Sequence, residues 1–158
     1  MTTGADMTVS GWALTYLSKG LSPIPVAFKG KIPILPEWQK LRLTQAEPAF
    51  HFNGIPRNLG ILLGEPSNGV VDIDLDVPEA VRLAPYFLDP TGWRFGSAGS
   101  LESHWLYEAS PLEPTARFED PDGTMLVEHR STGSQTVVPH SVYQSGDLSS
   151  GLNSIGPQ

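Results

Sequence analysis

Three aspartates stand at alternate positions in the run Val70-Val71-Asp72-Ile73-Asp74-Leu75-Asp76. On a strand, successive side chains point to opposite faces. Asp72, Asp74 and Asp76 therefore share one face, and Val71, Ile73 and Leu75 the other. Neighbouring carboxylates repel, so a bound cation is the natural counterpart of such a row. Oxygen-only ligands suit Mg²⁺ or Mn²⁺. Two such cations can activate a hydroxyl and stabilise a leaving pyrophosphate. The same pattern also fits an edge strand with a solvated acidic face.

Three further groups could join that chemistry. His104 opens the apolar segment His104-Trp105-Leu106-Tyr107, after the Gly/Ser-rich stretch Gly96-Ser97-Ala98-Gly99-Ser100. Such a stretch can bring backbone N–H groups close to phosphates. It has no lysine and no P-loop spacing, and a lone histidine is more often structural. Glu128 and Arg130 share a face of the strand Met125–Arg130, an arrangement that also describes a plain salt bridge. Lys31, in Lys29-Gly30-Lys31, sits on a turn where a lysine is usually just solvated.

These residues need elements to position them. Residues 11–20 read as a short amphipathic helix with Ser10 as N-cap and Gly20 as C-cap. Residues 22–28 are extended, and Pro23 and Pro25 confine them to a sheet edge or a strand start. Residues 32–36 continue in extended form. Thr44-Gln45-Ala46-Glu47 is a capping-box pattern that opens a short helix. Residues 58–63 and 69–75 are strands separated by the turn Ser67-Asn68-Gly69, which predicts a hairpin or close neighbours. A helix runs from Pro78 to Leu88, with a possible bend at Pro85. Residues 91–102 read as loop and 109–123 as a polar connector. Residues 136–139 read as the partner of 125–130 across the turn 131–134. The order of elements favours an α+β fold with a mostly antiparallel sheet. The division is a loose N-terminus over 1–10, one domain over 11–143 and a polar tail over 144–158.

The bulk composition narrows the function classes. The 158 residues suffice for one core. The 16 glycines and 15 prolines predict many short elements and shaped loops, not a helical bundle. The chain has no cysteine, which excludes disulfides, cysteine–zinc sites and cysteine nucleophiles. Met1–Ser10 does not resemble a signal peptide, and no apolar run reaches bilayer length. The expected setting is the cytoplasm of a bacterial host, with no membrane partner. The net charge of −7 argues against tight nonspecific binding of nucleic acid. The distribution is more favourable, because Lys19, Lys29, Lys31, Lys40, Arg42 and Arg57 are clustered ahead of the acidic run.

Taken in order, several segments resemble the bifunctional primase-polymerase N-terminal domain of the archaeo-eukaryotic primase superfamily. Gly30-Lys31-Ile32-Pro33 with Trp38 resembles its G-K-x-P…W signature, and Asn58-Leu59-Gly60-Ile61-Leu62-Leu63-Gly64 its N-h-G-h-x-x-G strand. Asp72-Ile73-Asp74 resembles the first catalytic motif, Ser103-His104-Trp105 the histidine motif and Val127-Glu128 the third motif. Thr136-Val137-Val138-Pro139-His140-Ser141 resembles the closing V-x-P-P-S segment. The resemblance spans about residues 13–143.

The resemblance implies an RRM-like, mostly antiparallel sheet flanked by helices. It implies template-directed transfer from NTPs or dNTPs, on a single-stranded template or primer-template, as in phage and plasmid replication. Asp72, Asp74 and Glu128 would hold two divalent metals, Mg²⁺ or Mn²⁺. His104 and Ser103 would contact the nucleotide, and Arg130 and Lys31 its phosphates or the template. Asp76 is the spare carboxylate. A fused or associated helicase is common in the family. The sequence departs from the pattern at Glu102, where serine is usual, at Ser97, where arginine is expected, and at His140, where a second proline is usual. Those departures leave a second class open, a catalytically degenerate nucleic-acid-binding module. A phosphoesterase using the same carboxylates is a third.

Overall fold

A computed structural model of the chain describes residues 8–146 and 150–152. Most of the expected polar tail and the first seven residues of the expected loose N-terminus lie outside them. Helix α1 (Val9–Ser18) begins two residues before the expected start. Its cap is Thr8, not Ser10: the Thr8 hydroxyl oxygen accepts the Gly11 N–H at 3.1 Å. Such a cap contributes about 1 kcal/mol. Ser10 is instead buried, as are Ala13 and Tyr16 on the same helix. Strand β1 (Ser22–Ala27) follows, and then helix α2 (Pro48–Phe52). The Thr44–Glu47 box forms, with the Glu47 carboxylate accepting the Thr44 N–H, but the α-helix starts only at Pro48.

Strands β2 (Arg57–Leu62) and β3 (Val70–Leu75) lead into helix α3 (Pro78–Phe87). Then come β4 (Arg94–Ser97), β5 (Ser100–Glu108), β6 (Ala116–Glu119), β7 (Met125–Arg130), β8 (Gln135–Val137) and β9 (Ser150–Leu152). They form two antiparallel sheets, ordered β1-β2-β8 and β6-β7-β3-β5-β4-β9. The fold is α+β, compatible with a primase-type core. The two prolines of β1 are tolerated because it is an edge strand.

Four local expectations are corrected. First, of the two arrangements expected for β2 and β3, the hairpin is not formed: they belong to different sheets, joined by the bridge Gly64↔Val70 and by the shared core of Leu59, Ile61 and Val70. Second, β8 does not pair with β7. It crosses to the small sheet, where Val137 faces Gly60. Third, residues 91–102 are not simply loop, because β4 and β5 form a hairpin there. Gly96 makes it possible: a Cβ at that position would lie 1.9 Å from the Ser100 carbonyl oxygen. Fourth, the connector over 109–123 contains β6, and the tail contains β9, which pairs with β4.

The main core lies beneath α1, where Tyr16, Leu59, Ile61, Phe95, Leu106 and Val138 are all buried. A second cluster fills the opposite face of the large sheet. There Leu75, Trp105 and Ala84 pack with Ile73, Val127 and Val81 under α3. Strand β3 thus has an apolar partner on each side, as its alternation requires. Its Val70 enters the main core, and its aspartates continue along that same face toward solvent.

Candidate functional site

Strand β3 lies between β5 and β7, and register fixes its neighbours. Asp74 is opposite His104 on one side and Glu128 on the other. Asp72 is opposite Leu106 and Arg130. Directly opposed residues share a face, so Asp72, Asp74, His104, Glu128 and Arg130 come together on three adjacent strands.

Burial grades along the row. Asp72 is fully buried, the Asp74 side chain is 19% exposed and Asp76 is exposed. A buried carboxylate needs partners. The Asp72 Oδ2 atom lies 2.9 Å from His104 Nδ1 and 3.8 Å from Arg130 Nη1. Its Oδ1 atom has no hydrogen-bond partner in the protein. Asp74 is less tightly held, 3.6 Å from His104 Nδ1 and 3.7 Å from Arg130 Nη1. Arg130 also donates to the Gln135 carbonyl oxygen. Phe95 stacks on the His104 ring with centroids 5.0 Å apart, which fixes the imidazole plane.

The electrostatics follow from this packing. Burial pushes the Asp74 carboxyl up to about 6, aided by Asp72 and Asp76 and opposed by His104 and Arg130. Burial, then Glu128, raises Asp76. For His104, burial disfavours the charged ring, but the charge and hydrogen bond of Asp72 together with Asp74 outweigh it, and the pKa is raised.

One ligand oxygen each from Asp74, Asp76 and Glu128 lies within 4.8 Å of the others. Asp76, expected to be spare, is in this close group. Asp72 is instead engaged with His104 and Arg130. Glu128 is steadied by Arg117, whose Nε is 3.7 Å away. The donor set is all oxygen, and the orphaned Asp72 Oδ1 is a buried carboxyl oxygen without a hydrogen-bond partner. Both properties suit a hard divalent cation.

A cleft of about 130 Å³ opens beside the row. Asp74, His104 and Arg130 line it from the large sheet, and Gln135, Thr136 and Val137 from the small one. Lys31 and Tyr143 complete it. The structure therefore brings Lys31 to the acidic row. Ser103 lies half-buried in the stretch where β4 and β5 change register. A larger groove of about 610 Å³ lies behind the sheet, between α3 and Phe118, and its lining is almost wholly apolar. The titratable chemistry is in the small cleft.

Gln135 carries no signal in the sequence, and the roles of Asn58 and Gly60 emerge only in the fold. Gln135 Nε2 donates to the Lys31 carbonyl oxygen at 2.9 Å. Gly60 leaves space for the Gln135 side chain, since a Cβ there would lie 2.6 Å from its Oε1 atom. Buried Asn58 donates to the carbonyl oxygens of Gly30 and Val142 and accepts the Val142 N–H. It thereby ties the Lys31 turn to the segment carrying Tyr143. The Asn58 and Gly60 spacing was visible in the sequence, but its target was not.

The family described as bifunctional DNA primase/polymerase, N-terminal, matches residues 13–151. The chain belongs to this family. A search of curated proteins finds no match. Membership of the primase/polymerase family supports a general DNA primase or polymerase role for the domain, and implies DNA and nucleotide substrates. Among the described residues, no helix is long and apolar enough to cross a membrane.

The acidic group of this primase/polymerase domain makes a pH-dependent prediction. Asp74, Asp76 and His104 all have raised folded pKa values. Each contributes stability that is fully present below its unfolded pKa and is lost as pH rises through the folded one. The metal-free protein should lose melting temperature as pH rises from about 4, first as Asp74 ionises in the folded state near 6 and then as His104 gives up its proton. Mn²⁺ should raise the melting temperature more at pH 7.5 than at pH 5.5, because carboxylate ligands must be deprotonated. Thermal melts at both pH values, with and without metal, test this. An equal metal effect at both would contradict it.

Proposed function

We propose that this domain is a template-directed nucleotidyltransferase, a DNA polymerase or primase, working in phage or plasmid replication in the bacterial cytoplasm. The observation that carries the reading is the His104–Asp74–Glu128 row across three strands, with Arg130 and Lys31 at the wall of the same cleft. Polymerisation forms a bond from a 3′-oxygen to the α-phosphorus and breaks the bond to pyrophosphate. The site must therefore hold a polyanion beside carboxylates.

Asp74 and Glu128 would hold divalent cations, with Asp76 and the free oxygen of Asp72 completing the oxygen set. Mg²⁺ or Mn²⁺ bound there supplies positive charge to the phosphates and acidifies the attacking hydroxyl. Asp72 keeps the His104 proton on Nδ1 and favours the charged ring. His104 and Arg130 then face the nucleotide phosphates as donors, and Lys31 meets phosphate or template from the far wall. Ser103, beside His104, is a further nucleotide contact. A helicase would act with the domain on DNA.

A second reading, a non-catalytic DNA-binding module, draws on Ser97. It lines the neighbouring cleft with Lys29 and Lys31, where the family pattern expects an arginine. One gel assay separates the two. Primed and unprimed templates are incubated with labelled dNTPs or NTPs and Mg²⁺ or Mn²⁺. Metal-dependent extension is expected. Template binding without incorporation under any of these conditions would favour the module. Release of nucleotide products with no polymer would point to a phosphoesterase.

A further inference from the structure

The turn after β1 carries a surface that the acidic row does not explain. Phe28 is 45% exposed and Ile32 75% exposed, although the backbone around them is hydrogen-bonded. The Ala27 N–H is bonded to the Ile32 carbonyl oxygen, and Pro33 bridges back to Val26. Asn58 and Gln135 hold the Gly30 and Lys31 carbonyl oxygens from below. The tip is therefore a fixed platform whose aromatic and aliphatic side chains face outward. Lys29 has a left-handed backbone (φ 57°), and its ammonium sits 5.7 Å from the Phe28 ring centroid. Lys29 and Lys31 line a cleft of about 370 Å³, and Lys31 and Tyr143 also line the catalytic cleft. The two clefts share Lys31 and Tyr143, and Phe28 adjoins the outer one through Lys29.

We propose that this tip, residues 28–34, is a docking platform for single-stranded nucleic acid. Phe28 stacks a base, and Lys29 and Lys31 hold the adjoining phosphates. The proposal rests on the nucleotidyltransferase reading, for which the docked strand is template. Charge selects this occupant. In a chain of net charge −7, the segment 19–57 carries six of the ten Lys and Arg residues and only two acidic ones, Glu37 and Glu47. Lys40 is paired with Glu37, and Arg42 and Arg57 are bonded to backbone carbonyls, while Lys29 and Lys31 face the cleft. An aromatic ring beside cations that are not tied up in ion pairs with carboxylates in contact is the combination that binds single strands without sequence preference.

The test uses the full chain and a labelled oligo-dT strand, read by fluorescence anisotropy without metal. Phe28→Ala should weaken binding roughly 5- to 100-fold, and Phe28→Trp should restore it. Lys29→Ala should lower the slope of log affinity against log salt by about 0.7. In primer extension, Phe28→Ala should raise KM for template and not KM for nucleotide. Wild-type affinity in both alanine variants overturns the proposal, as does an absence of strand binding by the wild type. A change in oligomeric state in Phe28→Ala, with strand affinity intact, also overturns it and marks the tip as a protein contact. If the wild type binds strand through Phe28 yet incorporates no nucleotide, the platform stands and the nucleotidyltransferase reading falls.

Discussion

Asp74→Asn should abolish metal-dependent nucleotide incorporation and still raise the stability of the metal-free protein. The two effects have one cause. Asp74 lies at the centre of the row, opposite both His104 and Glu128, and belongs to the close carboxylate group with Asp76 and Glu128. Losing its carboxylate should lower kcat at least about a thousandfold, roughly 4 kcal/mol of transition-state stabilisation. In the metal-free protein the same carboxyl is pushed up to about 6, first by burial. Holding it ionised well above that pH costs about 3 kcal/mol relative to the unfolded chain, at 1.36 kcal/mol per pKa unit. Asparagine removes that charge without changing the shape. Chemical denaturation at pH 8 in chelator, beside primer extension in Mn²⁺, measures both. A variant that is destabilised in chelator or still active would contradict this account of the site.

Asp72→Ala, two residues earlier, should behave in the opposite way. Asp72 is fully buried and answers two cationic groups, His104 at 2.9 Å and Arg130 at 3.8 Å. Removing one partner of a buried ion pair leaves an uncompensated charge and costs about 3–5 kcal/mol. For a domain of this size that is a fall of roughly 10 °C or more in melting temperature. Activity should vanish too, but through a lost fold margin as well as lost chemistry. Asp72→Asn keeps a hydrogen-bond acceptor for His104 and should recover part of the stability and none of the activity. An Asp72→Ala protein that melts with the wild type would show that His104 and Arg130 find water or other partners. The contrast between neighbouring aspartates separates a carboxylate that also holds the fold together from one whose burial costs stability until a cation is bound, which activity loss alone does not.

The faces of the elements were legible in the sequence, and the neighbours of those faces were not. Alternation placed Asp72 and Asp74 together on β3 and sent Ile73 and Leu75 to the other side, where they pack beneath α3. It also put Glu128 and Arg130 on one face of β7. Period-two patterns carry no information about which strand lies alongside, so residues 136–139 read as the partner of β7 although β8 pairs with β2. The closeness of Asp76 to Glu128 depends on the β3–β7 register, which no local pattern encodes. The β4–β5 hairpin was hidden for a different reason. Glycine and serine are poor strand formers, and only the tight approach of Gly96 to Ser100 explains why glycine is required there. An exposed turn lysine such as Lys31 is usually just solvated. Its position at the cleft depends on tethers from Asn58 and Gln135, which lie 27 and 104 residues away in sequence.

The two-sheet arrangement also has a consequence for how the chain reaches this state. Asp74 meets Glu128, and Gly60 meets Val137, across long stretches of intervening chain. Pairings of such high sequence separation require loop closure before they return any energy, and they slow folding relative to hairpins and helices. The β4–β5 hairpin and the α-helices can form locally. The acidic row and its cationic wall exist only after β7 and β8 have each inserted into a different sheet. Ligand affinity should therefore emerge in the last, slow phase of refolding, so that recovery of metal binding reports completion of the whole topology.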